Sequence, residues 1–330
     1  LKPELSKNLE AFLADAPVFL QPWWLEAVAP SRWDYAVAMR GEEIAAALPY
    51  TYKKWLGWTF IEGPSKTPFL GPWLRPSSAK YARQLAEQKD LLGELIDSLP
   101  KLGSFSQAFH PGLTNWLPFY WRGFQQSTSY TYRIEDTSNL EAVWQETTES
   151  VRTDIKKARK ILMVEACHDF QSVIDLHKKT WHRQGRAFAQ SDAEMMALHD
   201  ACLRHDCCQT FIARDTGDRP HAAAYFIWDK SAVYYYTSGA DPALRNSGAG
   251  ALLVWQGIEL ASKLGLSFDF EGSMHEPIER FFRSFGGCQV PYFVLSKTSS
   301  SPLPAVISLL RRTKGLLKTL FKNGYFNTHA

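Results

Sequence analysis

Cysteine is scarce in this chain: five residues in 330, an odd number without regular spacing. That argues against a disulfide framework and fits a reducing compartment. No apolar run approaches the length of a membrane span, and no stretch resembles a secretory signal, so a cytoplasmic protein is expected. Neither sign of charge dominates. Lys and Arg number 37 against 34 Asp and Glu, a formal balance of +3 that is too weak to argue for nucleic acid, and stable DNA binding is not expected. The Walker A phosphate loop, the dinucleotide GxGxxG, the GxSxG elbow, HExxH and the kinase set are all missing. "HDACLRHDCC" gathers His199, Cys202, His205, Cys207 and Cys208. Their spacing matches no common zinc motif, so they read as buried thiols at a helix end, and no metal is expected.

What is present is a chain long enough for two domains, with aromatic residues at 14%. In the first half, "WDYAVAMRGEEIAAALPYTYKKWLG" reads as two strands around a turn at Arg40-Gly41. The Gly- and Pro-dense "GPSKTPFLGPWLRP" reads as a shaped loop. A helix is predicted over about 79–99, and "GSFSQAFHPGLTNWLPFYWRGFQQSTSYTYRIE" reads as strand and loop. In the second half a charged helix is predicted over about 139–160. Two more helices precede three strands in quick succession, "QTFIARD", "HAAAYFIWD" and "AVYYYTSGA". The alternation of helices and strands indicates an α/β or α+β fold with a mixed sheet. The two hairpins with three alanines, one in each half, hint at one fold used twice.

The stretch "DPALRNSGAGALLVWQGIELASKLGLSFDFEGS" runs from a polar turn into an amphipathic helix and then a strand. A helix entered through Arg245, Asn246, Ser247, Gly248, Ala249 and Gly250 offers free N–H groups and the positive end of its dipole. The glycines leave room for a bulky anion. A turn capped by Asn246 or Ser247 explains the same residues. In "FDFEGS", Asp269 and Glu271 alternate with Phe268 and Phe270, so both carboxyls share one face and one raised pKa is expected. "RTDIKKARK" brings Lys156, Lys157, Arg159 and Lys160 within two turns, either a solvated face or a phosphate contact.

The turn, with "RTDIKKARK", "GAGALLVWQGIELASKLG", "FDFEGS" and "FFRSFGG", resembles the GNAT acyltransferases. Within them it resembles the Fem-type branch of FemA/FemB/FemX-like, methicillin-resistance-protein-like aminoacyltransferases. "PYTYKK", "TPFLGPWL" and "NWLPFYWRGF" are similar to the N-terminal half of the same group, so the resemblance covers about residues 17–298. It implies two tandem GNAT-like domains, each a mixed, mostly antiparallel sheet flanked by helices. The expected divisions are 1–136, 137–300 with the RxxGxG loop, and a basic amphipathic tail over 301–330.

The resemblance further implies transfer of an acyl or aminoacyl group to an amine, with no tightly bound cofactor and a donor that is either acyl-CoA or aminoacyl-tRNA. Arg245 to Gly250 would hold the donor. Glu271, Asp269 and Tyr236 are the catalytic candidates. Lys156, Arg159, Arg283, Trp73 and Trp121 are the substrate-binding candidates. Phe281 and Phe282 occupy the helix where many GNAT enzymes carry a tyrosine acid, a departure that counts against a simple CoA-dependent mechanism. The acceptor would be a small amine or a peptidoglycan precursor, with tRNA as a partner in the Fem-type case. The tail would meet the inner membrane surface, and a non-catalytic binding protein is the competing class.

Overall fold

A computed structural model describes residues 3–183, 191–272, 274–299 and 301. The expected tail over 301–330 lies outside these residues apart from Ser301. The chain divides into two compact units. Among the described residues, the first holds those up to Ser129 and those from Pro291 to Ser301; the second holds Tyr130–Val290. Among the described residues no helix is long and apolar enough to cross a membrane.

In the first unit, α1 (Pro3–Phe12) and α2 (Pro22–Val28) precede β1 (Trp33–Arg40), β2 (Glu43–Trp55) and β3 (Trp58–Glu62). The three strands form an antiparallel meander. The β2–β3 reversal is made by Leu56 and Gly57, both at positive φ, as the twist of a tight hairpin requires. A short β4 (Trp73–Leu74) pairs with β2. Then α3 (Tyr81–Asp97) crosses over so that β5 (Leu102–Ala108) runs parallel to β3. Its Leu91, Leu92, Leu95 and Ile96 are buried with Phe105, Phe109, Phe119 and Phe124. The helix α4 (Leu117–Trp121) occupies part of what reads in sequence as strand and loop. Pro118 near its start has the φ that a first helical turn needs. The strand β6 (Gln125–Ile134) leads out of this unit.

The second unit repeats the plan. The predicted charged helix is two helices, α5 (Leu140–Glu146) and α6 (Glu149–Ile161). They break at Thr147, whose extended backbone ends the first and whose hydroxyl bonds the Val143 carbonyl at 3.0 Å. Next come β7 (Leu162–Cys167), α7 (Phe170–Arg183), α8 (Asp192–Arg204), β8 (Cys208–Asp215), β9 (Pro220–Trp228) and β10 (Ala232–Ala240). These four strands are antiparallel neighbours. The helix α9 (Ala249–Leu264) then crosses over, and β11 (Ser267–Asp269) runs parallel to β10. The helix is apolar on nearly every side and correspondingly buried. Finally α10 (Glu276–Arg283) leads to β12 (Cys288–Thr298).

Each meander–crossover–strand set is closed by a strand taken from the other half of the sequence. In the second unit Phe268 and Asp269 of β11 pair with Ile134 and Arg133 of β6. In the first, Ala108 of β5 pairs with Val294 of β12. One face of the second sheet, Phe226, Phe268 and Phe270, packs on α6 and α9, with Phe282 and Phe285 completing the cluster. The other face carries α7, seated so closely that a Cβ on Gly239 would overlap the backbone of Leu176 and His177.

Candidate active site

The strands β10 and β11 run side by side only from Ala232/Ser267 to Tyr234/Asp269. Beyond that point no register joins them, and the chain of each turns to a separate task. The register of β10 against β9 slips between Tyr235 and Thr237, so Tyr236 is the extra residue of a β-bulge. A bulge re-aims side chains, and here two successive ones turn toward the α7–α8 side. Tyr236 stacks edge-on against Tyr225 at 6.2 Å, and the Thr237 hydroxyl meets His177 of α7 at 2.8 Å.

The same face of β11 carries Asp269. Phe268 and Phe270 are fully in the core, and Asp269 between them is 1% exposed, the only carboxylate so deeply buried among the described residues. Strand alternation explains the pairing of opposite faces. Asp269 is stabilised from β6. Thr131 Oγ1 donates to its Oδ1 at 2.6 Å, Arg133 Nε lies 3.3 Å from its Oδ2, and the Glu271 backbone N–H donates at 2.8 Å. Burial outweighs these partners and raises its pKa to about 6.

Glu271 follows with φ at +57°, a left-handed conformation rare for a residue with a side chain. Gly272 is also left-handed, and a Cβ there would overlap the Tyr130 carbonyl of β6. The chain therefore turns sharply against β6, and Glu271 is carried into the turn at a cost of order 1 kcal/mol. Its Oε1 is buried and has no hydrogen-bond partner. Burial, reinforced by the Asp269 charge, raises its pKa well above the ordinary carboxylate value. That of Tyr236 is raised too, by burial and then by the Glu271 charge. The Asp269 charge thus acts on Glu271, and the Glu271 charge on Tyr236.

Arg245–Ser247 make a single 3-10 turn, and Gly248 at φ +80° starts α9. Gly248 and Gly250 are glycine for different reasons. A Cβ on Gly248 would overlap the Asp154 carbonyl of α6 and stand 3.0 Å from Asp154 C. Gly250 faces open space, with nothing within 4 Å of its would-be Cβ. Neither Asn246 nor Ser247 caps the helix end from its first position; Ser247 Oγ instead accepts the Ala249 N–H at 3.4 Å. The first intrahelical bond is Leu252 N–H to Gly248 O, so the N–H groups of Gly250 and Ala251 point out of the helix end.

Basic residues of α6 brace this turn. Lys157 Nζ donates to Asn246 O at 2.7 Å, and Arg159 pairs with Glu259 of α9 at 3.0 Å. Lys156 and Arg159 lie over the Trp144 ring at 5.9 and 6.0 Å. Arg283 pairs with Glu279 within α10 at 2.9 Å and is 61% exposed. Trp73 and Trp121 belong to the first unit. Trp73 in β4 stands 5.9 Å from the His110 ring, and Trp121 ends α4 in an exposed position under Lys89. The second unit thus brings together the catalytic candidates, the turn and two of the basic candidates. Thr131, Arg133 and His177 are not signalled by any motif; they reach the site through β6 and α7.

The cysteine cluster is closed. Cys202, Cys207 and Cys208 are buried, and burial pushes the Cys208 thiol up to about 11.

Residues 145–279 match the acetyltransferase (GNAT) domain family. The chain as a whole has a tandem GNAT-like fold, shared with solved structures of low sequence identity. A crystal structure of FemX aligns with a TM-score of 0.69 at 13% identity, covering 92% of this chain and 98% of that one. L-PGS from Bacillus licheniformis aligns at 0.54 and 11%, covering 94% and 96%. A tandem GNAT protein from the clavulanic acid biosynthesis pathway aligns at 0.50 and 9%, covering 91% and 96%. No curated protein matches the chain in sequence.

Proposed function

We propose that the second unit transfers an acyl or aminoacyl group from an activated donor to an amine. The observation that carries this reading is one juxtaposition. An uncapped helix end with an open glycine stands at the end of β10, and the buried Asp269, followed by Glu271 with its unpartnered buried Oε1, at the end of the neighbouring parallel strand β11. Ligands of parallel sheets bind at such ends.

The uncapped N–H groups of α9 suit a phosphate of the donor. Glu271, made more basic by burial, takes the proton of the attacking amine as the C–N bond forms. The tetrahedral adduct then expels the donor by breaking its C–S bond, or its C–O bond if the donor is a charged tRNA. The leaving atom takes the Tyr236 hydroxyl proton. Transfer from Glu271 to Tyr236 restores both groups, so the net change is amide plus protonated leaving group. Asp269 holds Glu271 through its backbone N–H and sets its charge environment.

In the Fem-type reading the donor is aminoacyl-tRNA and the amine lies on a peptidoglycan precursor at the cytoplasmic membrane surface. In the second reading the donor is acyl-CoA and the acceptor a small amine; the open space at Gly250 favours it. Lys156, Arg159 and Arg283 would meet donor phosphates.

Calorimetry with acetyl-CoA and with a nucleotide-linked muropeptide, beside a transfer assay with aminoacyl-tRNA, separates the readings. Acetyl-CoA binding lost in Gly250→Trp supports the thioester donor. Aminoacyl transfer without acetyl-CoA binding supports the Fem-type donor. Consumption of neither donor with any amine overturns acyl transfer.

A further inference from the structure

A chain of hydrogen bonds runs from α7 into the β10 bulge. Trp181 and His177 stand one turn apart on α7, and the Trp181 indole N–H donates to His177 Nε2. An indole N–H is only a donor, so His177 Nε2 carries a lone pair and no proton. Burial agrees, lowering the His177 pKa to about 4 and keeping the ring neutral at pH 7. A neutral ring with an unprotonated Nε2 must carry its proton on Nδ1. The 2.8 Å contact between Nδ1 and Thr237 Oγ1 is then an N–H donated to the hydroxyl. Thr237 has no other side-chain bond among the described residues, and its own O–H proton is left to point onward.

Every link donates in the same direction, so the chain ends in a polarised donor. Such an end takes an acceptor oxygen and has no use for an ammonium. It stands one residue from Tyr236, on the face of the sheet that carries Asp269.

We infer that Thr237 is a further catalytic residue, whose hydroxyl donates to the carbonyl oxygen of the transferred acyl group as that oxygen gains negative charge. His177 and Trp181 are positioning residues that fix the direction of its proton. This rests on the acyl-transfer reading. No covalent bond to Thr237 is formed, and no proton leaves it.

The test compares Thr237→Val, which keeps the shape and removes the donor, with Thr237→Ser, which keeps the donor. Both are assayed with whichever of acetyl-CoA and aminoacyl-tRNA the wild-type chain consumes. Thr237→Val should lower kcat about 100-fold, the scale of one lost oxyanion donor, with KM for the donor within about twofold. Thr237→Ser should recover kcat to within about threefold. Trp181→Phe should lower kcat less and leave KM alone. Ring-nitrogen NMR, with His177 assigned by loss of its signals in His177→Gln, should show the Nδ1–H tautomer at pH 7. Wild-type kcat in a folded Thr237→Val variant, a Thr237→Ser variant as slow as Thr237→Val, or an Nε2–H His177 overturns the inference and leaves acyl transfer standing. A wild-type chain that consumes neither donor overturns both.

Discussion

In the first unit β3, α3 and β5 make the crossing that β10, α9 and β11 make in the second. The two crossings differ where a ligand would sit. The entry to α3 is the long Gly- and Pro-rich loop after β3, and Lys80 and Tyr81 begin the helix without a glycine or a side-chain cap bond. Gly71 in that loop is left-handed, and a Cβ there would stand 2.9 Å from Phe109 Cγ. Near the end of β5 stand neutral groups. Gln107 Nε2 donates to Pro49 O at 3.0 Å, and the buried His110 bonds Pro72 O at 2.9 Å with its pKa lowered by burial. No carboxyl there corresponds to Asp269 or Glu271. The same framework thus persists in both units, while among the described residues the open helix entry and the paired acids occur in the second alone.

The sharpest way to break this asymmetry is to neutralise the base. Glu271→Gln should lower kcat by 10²–10⁴-fold, the usual worth of a general base, with the fold intact by circular dichroism. Gln107→Ala in the first unit should leave kcat within about twofold. A comparable loss in both would mean that the units share the chemistry.

The second test concerns the turn. Gly248→Ala must hold a side chain at φ +80° against the Asp154 carbonyl. The conformation costs about 1–2 kcal/mol and the overlap about 1–3 kcal/mol, so urea melts should show a loss of about 2–5 kcal/mol. Gly250→Ala meets open space in a helix and should not destabilise the chain; it should instead weaken donor binding. Equal effects of the two changes would refute the division of roles.

How much of this was legible beforehand follows physical range. The alternation of Phe268, Asp269 and Phe270 is local, so periodicity alone puts Asp269 opposite the rings. The mixed sheet and the twice-used hairpin follow from short-range patterns too. Contacts between distant segments were not legible. Thr131 reaches Asp269 across 138 residues, His177 reaches Thr237 across 60, and Gly248 is shaped by a helix some ninety residues before it. The left-handed backbone of Glu271 also has no signature, since sequence favours glycine at such a place and only Gly272 beside it hints at a turn. In the first unit, the short α4 hid inside an aromatic run because five helical residues show no period.

A third measurement uses pH. The native state binds the Asp269 proton more tightly than the unfolded chain does, because burial raises the pKa from 3.8 to about 6. Its contribution to stability is therefore complete below about pH 3.8 and is lost as pH rises through about 6. The stability difference between wild type and Asp269→Asn should shrink by about 3 kcal/mol across that window, from 1.36 kcal/mol per unit. A difference constant with pH would show that Asp269 titrates normally.

The smallest expected effect asks whether the basic face of α6 serves the ligand or only the fold. Arg159 is bound to Glu259 at 3.0 Å, but nearly half its side chain is exposed, so water screens the pair. Arg159→Ala should cost less than about 1 kcal/mol of stability. If α6 also meets donor phosphates, the same change should weaken acetyl-CoA binding by about threefold at low salt, and the gap should close near 0.5 M salt, roughly where screening shortens the reach of charge below a side-chain length. Lys157→Ala, which removes the bond to Asn246 O, should act in the same direction through the turn itself. Stability loss with unchanged affinity at every salt concentration would assign α6 to bracing alone and confine the ligand to the end of α9.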